Sequence, residues 1–314
     1  EKPPLTIPPS GSTAHLRLYA PMYGCPRAPA EQMRQCMFTV FKKPLAALQA
    51  DARLNDTALV KARLEEAQHP LEAGATKPRF TFVPAAVGAE DGWLHMRGTD
   101  AGQSIRGGAI VAEESSATLI SVIAVDVVSW MIKSFSEQDY VLVKMDVEGA
   151  EFGILEGLLQ AGKLGLIDLL AFECHRFAEA GWVAQNPTAT VRGCTGIPDQ
   201  LKQHNIPLIT EGSSYDGCDS SSRPDDYKPL DPRIAVIDGG FSTTTAQPPL
   251  QTVNPRSVYL DMGANWANTL RLFKDLAPAS IPRERWEVYT FEANPIIQPY
   301  VEKFVQYLNG VAEK

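Results

Sequence analysis

The stretch VYLDMGANWANTL, residues 258–270, constrains the fold more than any other part of the chain. An apolar run reaches Asp261, Gly263 makes a turn possible, and a helical pattern follows. That order marks a buried strand feeding a helix, the opening unit of a parallel α/β sheet. Here the unit comes near the end, with 314 − 261 = 53 residues after Asp261. The other strands of such a sheet have to lie upstream.

Upstream segments supply them. RFTFVPAAVG (79–88) reads as a strand, GWLHMRG (92–98) alternates, and TLISVIAVDVVSWMI (118–132) is a β-branched stretch leading into a helix. YVLVKMDVEGAEFGILEGLLQ (140–160) is a buried strand, a turn and a helix, and LIDLLAFECH (166–175) is an apolar strand with polar residues at its end. PDQLKQH reads as a helix and IPLIT as a strand. Such βα alternation predicts a doubly wound parallel sheet covered on both faces. RWEVYTFEANP (285–295) adds a strand after a helix over 267–276, and VEKFVQYLN (301–309) is the last helix.

The remaining segments are less regular. After an extended, Pro-rich lead-in, a helical pattern runs from about Ala28 to Leu48, broken or kinked at Pro44. A second helix is capped by Asn55 or Asp56 and ends by Pro70 and Gly74. Residues 211–256, rich in Ser, Asp, Pro, Thr and Gly, read largely as linker around one strand-like RIAVID (233–238).

Composition narrows the function. Lys and Arg number 29 against 37 Asp and Glu, a net charge of −8. Phosphate binding needs a dense basic field, so a nucleic acid is not the expected partner. No run approaches the roughly 18 apolar residues that span a bilayer, and residues 1–20 lack the continuous apolar stretch of a secretory signal. The expectation is a soluble chain with no evident signal peptide. Five cysteines (Cys25, Cys36, Cys174, Cys194, Cys218) show no CxxC pairing, which argues against a structural zinc site. Cys25 with Cys36, and Cys194 with Cys218, could each close a loop, or the thiols stay unpaired.

Two constellations carry chemistry. Asp261 precedes Gly263 at one strand end, and Glu292 stands at the next strand end, 292 − 261 = 31 residues on. A glycine turn lets the backbone approach a ligand, and an acid on the neighbouring strand end accepts hydrogen bonds from both ribose hydroxyls, which fits an adenosine cofactor. The second constellation is VKMDVEGAEFGILEG, in which a buried strand delivers Asp146 to the carboxyl edge of the sheet. A carboxylate there is costly unless hydrogen-bonded or used. Glu148 and Glu151 fall around the start of the following helix, where the simple reading is capping. His175 ends an apolar strand and suits either a core hydrogen bond or a catalytic role.

VKMDVEGAEFGILEG resembles the signature segment of the FkbM family of S-adenosylmethionine-dependent methyltransferases. LDMGANWANTL is similar to that family's cofactor loop and YTFEANP to its ribose-binding strand end, while FVPAAVG, AVDVV and LLAFECH match intervening strands in type and mutual order. One departure is Ala267, where the family loop commonly carries a second glycine, with the bulky Trp266 beside it. The motif order is also rotated: placing 257–314 ahead of 1–230 restores the family order, which implies a circular permutation, natural or engineered, with a truncated tandem of two such domains as the competing explanation.

The resemblance implies a Rossmann-like methyltransferase sheet with a helical insertion. Residues 1–78 would be lead-in and insertion (a lid or a flank), 79–230 the central and C-terminal strands, 231–256 a linker bridging the old termini, and 257–314 the cofactor-binding first two strands. S-adenosylmethionine would be held by Asp261, Gly263, Ala264 and Asn265 at its amino-acid part and by Glu292 at its ribose. Asp146, with Glu148 and His175, would orient or deprotonate a hydroxyl of a sugar or other small hydroxylated acceptor. A non-catalytic binding module of the same fold, or a nicotinamide-dependent oxidoreductase, is the rival; the loop lacks the GxGxxG spacing of the latter.

Overall fold

The computed structural model describes residues 32, 36, 56–72, 74–97, 119–210, 255–264, 277–278 and 280–310. Nine strands are described: β1 (Arg79–Val83), β2 (Ala86–Gly88), β3 (Gly92–Arg97), β4 (Leu119–Asp126), β5 (Tyr140–Met145), β6 (Leu169–Phe172), β7 (Leu208–Thr210), β8 (Ser257–Met262) and β9 (Trp286–Phe291). The described helices are α1 (Thr57–Glu65), α2 (Val127–Ser134), α3 (Glu151–Gln160), α4 (Arg176–Gln185), α5 (Ile197–Gln203) and α6 (Gln298–Leu308).

Six strands form one sheet in the order β1-β9-β8-β5-β6-β7, every pairing parallel. The C-terminal strands thus lie inside the sheet, with β8 between β9 and the mid-chain β5. From β8 the chain proceeds through β9 on one side, and from β5 through β6 and β7 on the other. This reversal of winding is where open α/β sheets bind ligands, outside the carboxyl ends of the strands.

Burial on both faces explains why these strands read as unbroken apolar runs. Every residue of β8 and β9 is buried. Val141, Val143, Met145, Val258, Leu260 and Met262 pack with α2 and α3 residues such as Met131, Phe152 and Leu155. On the opposite face Leu142, Tyr259, Trp286 and Val288 pack with Tyr300, Val301, Phe304 and Val305 of α6. Each such side chain contributes roughly 1.5–3 kcal/mol relative to exposure. Helix starts follow their caps: the Asp56 carboxylate accepts from Leu59 N (2.9 Å), and that of Asp126 from Ser129 N (2.8 Å). Trp130 of α2 donates its indole N–H to Leu64 O (3.1 Å), tying α1 to the body of the domain.

Three expectations change. The segment 79–88 is two strands, because Pro84 lacks an N–H to continue a ladder and the chain turns at Ala85, whose N–H donates to Val83 O (2.9 Å). β2, β4 and β3 then form a separate three-stranded sheet, β2 parallel and β3 antiparallel to β4, so the strand in 118–132 does not join the main sheet. Cys194 pairs with Cys174 at a Cα separation of 5.7 Å, not with Cys218; β6 and the turn before α5 bring them together across 20 residues of chain. Cys36 is also in a disulfide. Gln32 and Cys36 are helical, as predicted for 28–48; the rest of that segment, the predicted helix over 267–276, the strand 233–238, and Cys25 and Cys218 lie outside the described residues. Among the described residues no helix is long and apolar enough to cross a membrane.

Candidate functional site

The carboxyl ends of β8 and β5 are locked together at the point where the winding reverses. Met145 is in register with Met262, and Asp146 N donates to Met262 O at 3.1 Å. Gly263 follows with φ +84°, and a Cβ there would stand 1.9 Å from Asp146 O, so only glycine fits. Asp261 and Asp146, 115 residues apart by 261 − 146, are therefore delivered to one rim.

Lys144 cements this junction. It is 1% exposed in the middle of an apolar strand, and a buried ammonium requires partners. Its Nζ donates to Asp146 Oδ2 (3.0 Å) and to Gly263 O (2.8 Å), orienting the carboxylate and fixing the glycine turn in one stroke.

The turn after Asp146 builds the rest. Glu148 adopts φ +53° and Gly149 φ +106°, and this left-handed pair reverses the chain into α3. Glu151, in the first turn of α3, is completely buried. Its Oε2 accepts from Gly149 N (2.7 Å), and its Oε1 accepts from His175 N (2.7 Å) and faces His175 Nδ1 (3.1 Å). Glu151 is thus more than a cap: it holds the histidine. β6 carries that histidine to the same rim, with Glu173 N donating to Met145 O at 3.0 Å and the Cys174–Cys194 disulfide next to it.

With Nδ1 held by Glu151, the far nitrogen of the ring points into the site. His175 Nε2 lies 3.3 Å from Glu148 Oε2 and 3.6 Å from Asp146 Oδ1. Burial alone would push the imidazole's pKa down. The hydrogen bond and charge of Glu151, followed by the charges of Glu148 and Asp146, outweigh that and raise it to about 9. Donor atoms of Asp146, Glu148 and His175 all lie within 4.8 Å of one another, close enough to hold a cation. No metal-ligand set was expected from the sequence.

Of the cofactor residues inferred from the sequence, Asp261, Gly263, Ala264 and Glu292 are described, at the carboxyl ends of β8 and β9. Asp261 is completely buried and in register with Lys144 and Thr290. Gly263 and Ala264 donate their N–H groups to Phe291 O (3.2 and 2.9 Å), so these two amides brace β8 against β9. Glu292 stands at the end of β9, 7% exposed, and its Oε1 accepts from Asn294 N at 2.7 Å. Asn265, Trp266 and Ala267 lie outside the described residues. Sequence reasoning passed over Lys144 and took Glu151 only for a cap. The signal for Lys144 was available, a lone charge inside YVLVKM.

A parallel sheet with this order, helices on both faces and acidic groups at its switch point defines a Rossmann-like methyltransferase fold. Residues 53–203 match the methyltransferase FkbM domain family. The match holds the Asp146, Glu148, Glu151 and His175 cluster, while β8 and β9 fall outside it. No curated protein and no solved structure matches the chain.

Proposed function

We propose that this methyltransferase uses S-adenosylmethionine to methylate a hydroxyl of a sugar or another small hydroxylated metabolite. The observation that carries the reading is the convergence of Asp146, Glu148 and His175 beside the Gly263 turn, at the switch point of a chain with an FkbM domain. The cofactor, when bound, supplies an already activated methyl group. The protein then has to align an acceptor oxygen and receive its proton, and alignment is most of the work. Asp146, with one oxygen fixed by Lys144, orients the acceptor hydroxyl and takes its proton, while Glu148 and His175 border the same space.

The residues present suit the cofactor. A carboxylate at the end of β9 matches the paired hydroxyls of a ribose, which assigns Glu292 to that contact. Asp261, Gly263 and Ala264, with Asn265 on the family resemblance, are the residues assigned to the amino-acid part. Calorimetric titration tests this. Folded protein should take up one S-adenosylmethionine, and Glu292→Gln, which retains an acceptor for Asn294 N, should weaken uptake at least tenfold, about 1.4 kcal/mol. Equal affinity in the variant removes Glu292 from the site, and no uptake by folded protein favours a non-catalytic module.

We also infer that the domain is circularly permuted, with 257–314 supplying its first two strands, 79–230 the later ones, 231–256 the bridge and 1–78 an insertion. The central place of β8 supports this. A chain rejoined from Lys314 to Glu1 and opened within 231–254 should fold with the same cooperative melting, because cuts in such segments leave buried pairings intact. Failure of that chain to fold while the original does contradicts it.

A further inference from the structure

We propose that Asp146, Glu148 and His175 form a binding site for one divalent cation, of the manganese(II) type, that receives oxygens of the acceptor. The proposal rests on the methyltransferase reading for its role in the reaction, but not for the existence of the site.

Geometry is the first support. Ligands about 2.1–2.2 Å from a metal lie roughly 3.0–3.6 Å from one another in octahedral or tetrahedral arrangements. His175 Nε2 stands 3.3 Å from Glu148 Oε2 and 3.6 Å from Asp146 Oδ1, both within that span. The remaining gap, no more than 4.8 Å, closes by rotation of Glu148, whose side chain is 38% exposed. Asp146 offers Oδ1 to the site while Lys144 engages Oδ2.

The surroundings are those of a metal-ligating histidine. Such a ring commonly gives its other N–H to a carboxylate, which fixes both tautomer and direction. Glu151, completely buried, occupies that position against Nδ1 at 3.1 Å and also accepts from the His175 backbone. Charge agrees as well: among the described residues the carboxylates of Asp146, Glu148 and Glu151 outnumber the Lys144 ammonium around the ring, which favours a divalent cation. The imidazole disfavours magnesium and calcium, which prefer all-oxygen shells, while the two carboxylates suit manganese(II), so the mixed set fits a divalent first-row ion of that type.

Three protein ligands leave coordination positions open at the rim where the acceptor must enter. An ion there would bind an acceptor hydroxyl and lower its pKa, so that with the ion in place the proton leaves to water while Asp146, coordinated, orients the acceptor, and it would favour acceptors with two adjacent oxygens over isolated alcohols.

The test is manganese(II) titration of the chelator-treated full chain, followed by the electron paramagnetic resonance signal of free manganese. One ion per chain should bind, with affinity at least tenfold lower in His175→Ala and in Glu148→Gln. Circular dichroism checks folding, and if His175→Ala unfolds, the isosteric Glu148→Gln decides. Absence of stoichiometric binding, or binding unchanged in the folded variants, overturns the proposal. Parallel titration with S-adenosylmethionine separates the two readings: cofactor uptake without manganese binding rejects the ion site alone, and manganese binding without cofactor uptake rejects the methyltransferase role alone.

Discussion

Gly263→Ala should cost about 4 kcal/mol or more of folding stability, the range reserved for substitutions that force a backbone to move. Two separate penalties combine. The residue holds φ +84°, and its new Cβ would meet the Asp146 carbonyl at 1.9 Å. That carbonyl has nowhere simple to go, since Asp146 N bonds Met262 O and Lys144 Nζ bridges Asp146 to Gly263 O. Gly162→Ala is the control. It also has a positive φ (+64°) but nothing within 4 Å of the added carbon, so it should lose only about 1 kcal/mol. Urea unfolding of both variants measures the difference; equal losses would mean that the β8–β5 junction is looser than described.

Arg256→Met should cost about 2–3 kcal/mol, because it removes one of the two guanidinium partners of a buried carboxylate at the amino end of the sheet. Arg256 grips Glu287 with two hydrogen bonds (Nε to Oε1, 3.0 Å; second guanidinium nitrogen to Oε2, 2.7 Å) and donates to Ser134 O at 2.8 Å. Its guanidinium also lies 5.2 Å from the centre of the Phe135 ring. Arg79, the Tyr289 hydroxyl and Leu71 N complete the shell around Glu287. Burial pushes the Glu287 carboxyl up, but the Arg256 hydrogen bond and charge, aided by Arg79, outweigh it and hold it below the usual range. A depressed carboxylate stabilises the fold above its unfolded pKa, and that contribution is lost as pH falls through the folded value. With Arg256 gone, acid unfolding should begin at higher pH. Adding Glu287→Leu to Arg256→Met should recover part of the loss; no recovery would show that Arg79 compensates the carboxylate by itself and that packing dominates.

Much of the sheet was legible because parallel strands covered on both faces have to be continuously apolar, as in VYL and YVLV. Asp146, Asp261 and Glu292 stood out for the same reason, as acids at the ends of such runs. What escaped was pairing across long stretches of chain. Nothing local tells Lys144 that its partners are the next turn and Gly263, or Cys174 that Cys194 will lie opposite. The break in 79–88 was missed although Pro84 could have signalled it, and the second sheet depends on where β4 finds partners, which periodicity does not encode. Arg256 was counted as linker, although its backbone and side chain join β5, β8 and β9.

The most direct measurement is a crystal structure of the protein with S-adenosylhomocysteine. It should place the ribose at Glu292, the amino-acid part beside Asp261 and Gly263, and the sulfur facing Asp146 and His175. A ligand seated away from the β8–β5 rim, or with its sulfur directed away from Asp146, would contradict the shared site.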